Sequence, residues 1–271
     1  MLTYYPFWLA VVSLLCVVAE RAAPWRRGQL GLRPELGQDV FWLCFNGYFA
    51  SLVFAGLFGY LEGGLTASFT GVCGVTPQSL RLLEGLNLAL QIAVVLVASD
   101  FIEWLVHNAL HRFPPLWRIH RVHHSIETMD WIGNFRFHWG ELIVYKSVKY
   151  IPLALLGARW EALLVAAVVA TLIGHLNHAN LNLSWGPLRY ILNSPRMHIW
   201  HHDKHPHRPA GVNFGVVFSL WDWIFGTAYM PREARQPEVL GYVGMEHVSH
   251  SLIMRFLLPM FNRRTAPDGN V

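Results

Sequence analysis

The sequence predicts an all-α integral membrane protein, with about four to five membrane helices of roughly 20 residues each and a helical cap on one side of them. Composition, long uncharged stretches and the uneven placing of basic residues each point that way. Of 271 residues, 54% are hydrophobic and 14% charged, which is too apolar for an ordinary soluble domain. The formal net charge of +4 is modest. The basic residues stand beside apolar stretches rather than in a tract that could follow a phosphate backbone, so nucleic acid is set aside as a partner. Cys16, Cys44 and Cys73 lie far apart without C-x-x-C spacing. They form no disulfide framework, zinc ribbon or iron–sulfur motif and read as inert thiols of membrane helices.

Taken in order, Tyr4 to Val18 is apolar and is followed by Glu20 and a basic cluster of Arg21, Arg26 and Arg27. It lacks a basic leading segment and an Ala-x-Ala-like cleavage site, so it reads as a retained membrane helix. Val40 to Leu61 holds 22 residues without a charge, enough to cross the hydrocarbon at about 1.5 Å per residue. Leu86 to Val106 is a third apolar run, interrupted in its last turns by Asp100 and Glu103. Leu142–Leu156 and Ala162–Ile173 read as a hairpin, the first arm weakened by Lys146 and Lys149. Arg21, Arg26, Arg27 and Arg33 separate the first two spans, and Arg112, Arg118, Arg121 and Arg136 follow the third. Both loops are therefore expected to be cytoplasmic, with Glu62 to Gly85 as an external loop. The chain divides into N-terminal membrane helices (1–99), a histidine-rich region (100–230) containing the hairpin at about 142–174, and a cytoplasmic or interfacial C-terminal segment (231–271).

Fifteen histidines are the outlying number, and ten of them fall into four clusters. These are His107 with His111, His120 with His123 and His124, His175 with His178, and His198 with His201 and His202. Residues three or four apart share a helical face, so an H-x-x-x-H pair offers two imidazoles to one ion. An H-x-x-H-H triplet offers three that reach adjacent ions. Ten imidazoles exceed one tetrahedral site and suit two metals of five or six ligands each. Asp100 and Glu103 fall on the helical face of His107 and His111, where they are expected to accept from the ligands' other ring N–H groups. His138 stands near Glu141, and hydrogen bonding there competes with ligation. His205 and His207 read as a surface loop, and His247 and His250 as solvated or interfacial. Trp104, Trp117, Trp131, Trp139 and Trp200 read as an interfacial belt, with an apolar tunnel lining as the alternative.

These motifs resemble the fatty acid hydroxylase and sterol desaturase superfamily of membrane histidine-box di-iron enzymes. Asp100 with His107 and His111 is similar to its opening D-x6-H-x3-H box. His120 to Ser125 is similar to its H-x-x-H-H-S, and His198 to His202 to its final box. Asn213-Phe214-Gly215, Trp221 to Thr227, and Arg136 to Glu141 are similar to further segments, although Trp139 stands where the family usually has proline. The resemblance implies that the ten histidines hold two iron ions, zinc being able to substitute, in a cap on the cytoplasmic ends of a membrane bundle. It implies a lipid substrate entering from the bilayer. Asn213 would order a water on the metal or position a ligand, or simply form a bend, and Trp221 to Thr227 would pack the cap.

The expected activity is that of an oxidoreductase, an O2-dependent monooxygenase that hydroxylates, or alternatively desaturates, a lipid C–H bond. No haem, flavin or iron–sulfur segment is present in the sequence, so electrons are expected from a separate reductase or ferredoxin-like donor. Two rivals belong to other classes. A membrane metal-ion transporter would place its ligands at the bilayer midplane, and a zinc-dependent membrane hydrolase would be expected to carry H-E-x-x-H, which is absent.

Overall fold

The computed structural model describes residues 4–74 and 80–257. The expected external loop and C-terminal segment extend partly outside these residues, as does the thiol of Cys73. Among the described residues the fold is helical, and only three isolated bridges stand in for strands: Pro24 with Leu181, Leu192 with Phe218, and Asp203 with Leu240.

Helix α1 (Tyr5–Ala22) carries a proline in its first turn, where a missing N–H costs nothing. Its buried residues Leu9, Val12 and Cys16 lie on one face. Leu36–Trp42 (α2), a wider π-helical stretch (Leu43–Phe49) and Ala50–Cys73 (α3) make one continuous helical run. The helix therefore continues through Glu62 and past the end of the uncharged stretch. At Gly47 an added Cβ would stand 2.8 Å from Leu9 Cδ2, so glycine lets the π-helical stretch close on α1.

Helix α4 (Leu88–Arg112) starts at an Asn87 cap whose side chain accepts from Leu90 N. It extends six residues beyond the apolar run and so carries His107 and His111 on its last two turns. After the short α5 (Pro114–His120), the hairpin arms are α6 (Trp139–Leu155) and α7 (Trp160–His178). A turn at Gly157, φ +82°, joins them. Short helices Pro195–His198 (α8), Leu220–Ile224 (α9) and Leu252–Leu257 (α10) belong to the cap.

Three helices, Tyr5–Ala22, Leu88–Arg112 and Trp160–His178, are long and apolar enough to cross a membrane. Helix α3 has 24 residues, about 36 Å. Helix α6 has 17, about 26 Å, and packs beside α4 and α3. The molecule is an all-α integral membrane protein.

Buried polar bonds fix the two ends of the bundle. At one end Gln91 donates to Leu83 O at 2.8 Å and accepts from Arg159 N at 2.9 Å, tying the starts of α4 and α7 together. At the other, Glu20 at the end of α1 accepts from Asn180 N at 2.7 Å and from Trp131 N at 2.9 Å. The ends of α1, α4 and α7 and the starts of α2 and α6 thus share one side, and the cap covers them. A buried ionic network seals that side. Asp39 binds both Arg33 (2.6 Å) and Arg136 (2.5 Å), Arg33 reaches Asp130 (2.6 Å), and Arg136 reaches Glu35 (2.6 Å). Glu35 in turn holds Arg255 of α10 at 2.9 Å.

Candidate metal centre

Nine histidines converge where α4 and α7 end. The first group is His107, His111, His120, His124 and His201, and the second is His123, His178, His198 and His202. Within each, one nitrogen per ring lies within 4.8 Å of the others, and all but the partly buried His111 are buried. Each H-x-x-H-H box divides between the groups. His120 and His124, four apart, go to the first and His123 to the second, while His198 and His202 go to the second and His201 to the first. The rings of His124 and His202 stack across the divide with centroids 4.6 Å apart.

The spacing within the groups is that of ligands around an ion. His120 Nε2 lies 3.1 Å from His107 Nε2 and from His111 Nε2, and 3.2 Å from His124 Nε2. In the second group His178 lies 3.2 Å from His123, and His202 lies 3.2 Å from His198. With metal–nitrogen bonds of about 2.1 Å, neighbouring ligands stand about 3.0 Å apart at right angles and about 3.4 Å apart in a tetrahedron. Neutral rings so arranged cannot all satisfy one another, because each has a single N–H to give. His201 Nε2 is buried without a hydrogen-bond partner among the described residues. The donor set therefore fits two metal ions.

The outer nitrogens explain how the rings are aimed. His107 Nδ1 donates to Phe214 O at 2.8 Å, His201 Nδ1 to Val212 O at 2.7 Å, His178 Nδ1 to Gly174 O at 2.8 Å and His123 Nδ1 to Arg136 O at 3.2 Å. His120 Nδ1 donates to Glu141 Oε1 at 2.9 Å. Each bond fixes the tautomer whose Nε2 lone pair faces the group. Burial, and the neighbouring imidazoles with it, hold His120, His123, His124, His198, His201 and His202 well below the ordinary histidine range, so the rings are neutral and free to ligate.

Several expected roles are revised by position. His175 stands outside both groups, because the face of α7 that it occupies packs on α1 and the Trp131–Phe135 turn. Its nitrogens meet Ser13 Oγ at 3.2 Å and Asn134 Nδ2 at 2.9 Å. Asp100 and Glu103 touch no ligand. Asp100 accepts from Val217 N, Phe218 N and Trp221 Nε1 at 2.7 to 3.0 Å. Glu103 pairs with Lys149 at 2.7 Å. His138 caps α6, accepting from Gly140 N at 3.0 Å, and its Nε2 donates to Phe256 O at 3.0 Å. Trp139, in the place of the family's proline, donates to the same carbonyl. Asn213, at φ +59°, donates to Met197 O and Tyr229 O and accepts from Tyr229 N, each at 2.7 Å, so it forms the bend instead of meeting a metal.

Asp222 escaped sequence reasoning. It accepts from Trp104 Nε1, Phe214 N, Gly215 N and Thr227 Oγ1 at 2.6 to 3.0 Å, and so sets the Phe214 carbonyl that aims His107. The W-D pair in the Trp221–Thr227 motif was the available signal. None of the five tryptophans is among the described residues that line the cavity beside the histidines. Trp117 packs on His111 and His124, and Trp131 on His175.

A cavity of about 350 Å³ leads from the groups into the bundle. His107, His120, His123, His178 and His198 stand at one end, and Phe54, Trp160, Leu163, Leu164 and Ala167 form apolar walls. Neutral histidines in two metal-spaced groups, opening on an apolar cavity inside a helical membrane bundle, define a membrane metalloprotein. Residues 92–227 match the fatty acid hydroxylase family, and the chain belongs to that family. It is 35% identical over 144 residues to an ornithine lipid hydroxylase of Rhizobium tropici, covering 53% of this chain and 43% of that protein. It is 27% identical over 163 residues to an alkylglycerol monooxygenase of Caenorhabditis elegans, covering 58% of this chain and 30% of that protein. A very-long-chain aldehyde decarbonylase of Oryza sativa subsp. japonica is 23% identical over 244 residues, 83% of this chain and 77% of that protein. The chain thus spans less than half of the first two relatives. No solved structure matches.

Proposed function

We propose that this protein is a di-iron monooxygenase that hydroxylates a lipid C–H bond with dioxygen and electrons from a separate reductase or ferredoxin-like donor. The observation that carries the reading is the joint placing of the two histidine groups beside one apolar cavity within the bundle. The nine grouped histidines are the proposed ligands. When bound, iron supplies the redox change and the dioxygen chemistry that side chains lack. The protein's part is positioning. Glu141 and the carbonyls of Val212, Phe214, Gly174 and Arg136 keep the imidazoles aimed, and the apolar walls hold a hydrocarbon chain and keep water away. The basic loops after α1 and α4 support a cytoplasmic cap, within reach of a soluble donor. The first two relatives are named for hydroxylase and monooxygenase activities on lipids.

The test is a metal count on protein purified without oxygen, beside His123→Ala and His201→Ala, one from each group. Two irons per chain, diminished in both variants, are expected. Dioxygen uptake should depend on reductant and added lipid extract, with a product heavier by one oxygen atom in mass spectrometry. One metal or fewer, or no dioxygen uptake with any donor, overturns the proposal.

A further inference from the structure

Two carboxylates and two lysines line the cavity: Glu103, Glu141, Lys146 and Lys149. Charges within membrane helices are costly, and they face a partner or a functional path. Glu103 and Lys149 pair at 2.7 Å, and Glu141 accepts from the neutral ring of His120 at 2.9 Å. Lys146 meets neither. Its Nζ donates to Ser51 Oγ at 3.2 Å and lies 5.7 Å from the Phe54 ring centroid and 5.9 Å from that of Tyr150. Among the described residues it forms no ion pair. A hydroxyl and two ring faces orient an ammonium without neutralising it. Lys146 follows Glu141 by five residues on α6, about 7.5 Å along the axis, and its ammonium stands against Phe54 of the apolar wall.

A lipid filling this cavity meets one uncompensated positive charge at a set offset from the metal ligands. We propose that Lys146 binds an anionic oxygen group, a carboxylate or a phosphate, on the lipid that occupies the cavity, and that this contact decides which carbon is presented to the histidine end. The proposal rests on reading the cavity as the substrate's. Coulomb attraction is strengthened by the low dielectric, and an ammonium takes either anion as a point charge. A neutral lipid of the same length leaves that charge unmatched, and a site so built discriminates by about tenfold or more.

The experiment measures equilibrium binding of tritiated hexadecanoic acid, hexadecyl phosphate and hexadecanol to the full chain in nanodiscs, without turnover. Wild type is expected to hold at least one of the two anions about tenfold or more tighter than the alcohol. Lys146→Met should erase that preference at unchanged metal content, and Lys146→Arg should keep it. Preference for the acid alone names a carboxylate, for hexadecyl phosphate alone a phosphate, and for both a general anion site. Each supports the assignment. Equal binding of all three by wild type, or a preference surviving in Lys146→Met, overturns it. Should Lys146→Met lose its metals, Lys146→Gln reads the same preference with the polar contact to Ser51 retained. Because binding is read without turnover, a failed Lys146 assignment is distinguishable from a failed oxygenase reading.

Discussion

Five of the nine grouped imidazoles, those of His107, His120, His123, His178 and His201, are aimed by the group on the far nitrogen, and this makes residue-scale predictions sharp. Glu141→Gln keeps a hydrogen-bonding side chain beside His120 but removes the charge that raises its basicity. Iron affinity, read by chelator competition, is expected to fall about 10- to 100-fold. His175→Ala should retain both metals, because Ser13 and Asn134 hold that ring away from the groups, whereas His178→Ala should lose metal. Equal metal loss in the two variants would contradict the assignment. The H-x-x-H-H spacing made the ligands legible, since few structural needs place three histidines so closely. Their partners were not legible. Every residue has a carbonyl, so nothing in the sequence marks Val212 or Phe214 as the acceptor. Asp100 shares the helical face of His107, which the spacing shows, but not its height, which the spacing does not show. It lies seven residues from His107, about 10 Å along the axis, which puts it level with the segment Val217–Trp221.

At the scale of elements, the stretch from Val212 to Tyr229 works as a splint, pinned by Asp100 and Asp222 to α4 and to itself. Gly215 is confined by it: an added Cβ would stand 2.3 Å from Phe218 O. Gly215→Ala is therefore expected to displace the turn, at a cost of about 1–3 kcal/mol. It should weaken the metal site that contains His107 and His201, while limited proteolysis within 212–229 speeds up. An unchanged digestion pattern and metal count would refute this. Asp222→Ala should act in the same direction and more strongly, because it strands four donors, each costing about 1–3 kcal/mol. Apolar runs located the helices well but not their ends. Helix α4 continues past its apolar run because the face that carries His107 and His111 is covered by the cap, and α3 runs through Glu62 although the charge-free stretch stops there. Tertiary cover and backbone bonding, which a hydropathy pattern does not encode, decide such ends.

For the whole molecule, crowding neutral histidines in one place sets a direction for pH. In the unfolded chain these rings take up protons below about pH 6.5, whereas the folded cap keeps its six well below that value. The unfolded state binds more protons in acid, so stability is fully present above about pH 6.5 and is lost progressively as pH falls from there toward the lower values of the folded rings. Melting temperatures of metal-free protein in detergent should decline between about pH 7 and about pH 5, and a constant value across that window would count against the account. Protons also compete with metal for the same nitrogens, so the loaded protein should lose iron over that window. The division of the H-x-x-H-H boxes sets a timetable for biosynthesis as well. Each group draws on residues before and after the hairpin, so neither metal site is complete until both arms have been made and the ribosome has passed His201 for the first group and His202 for the second. Metal loading thus becomes a quality check on membrane insertion: a chain with an arm of its hairpin misplaced cannot assemble either site.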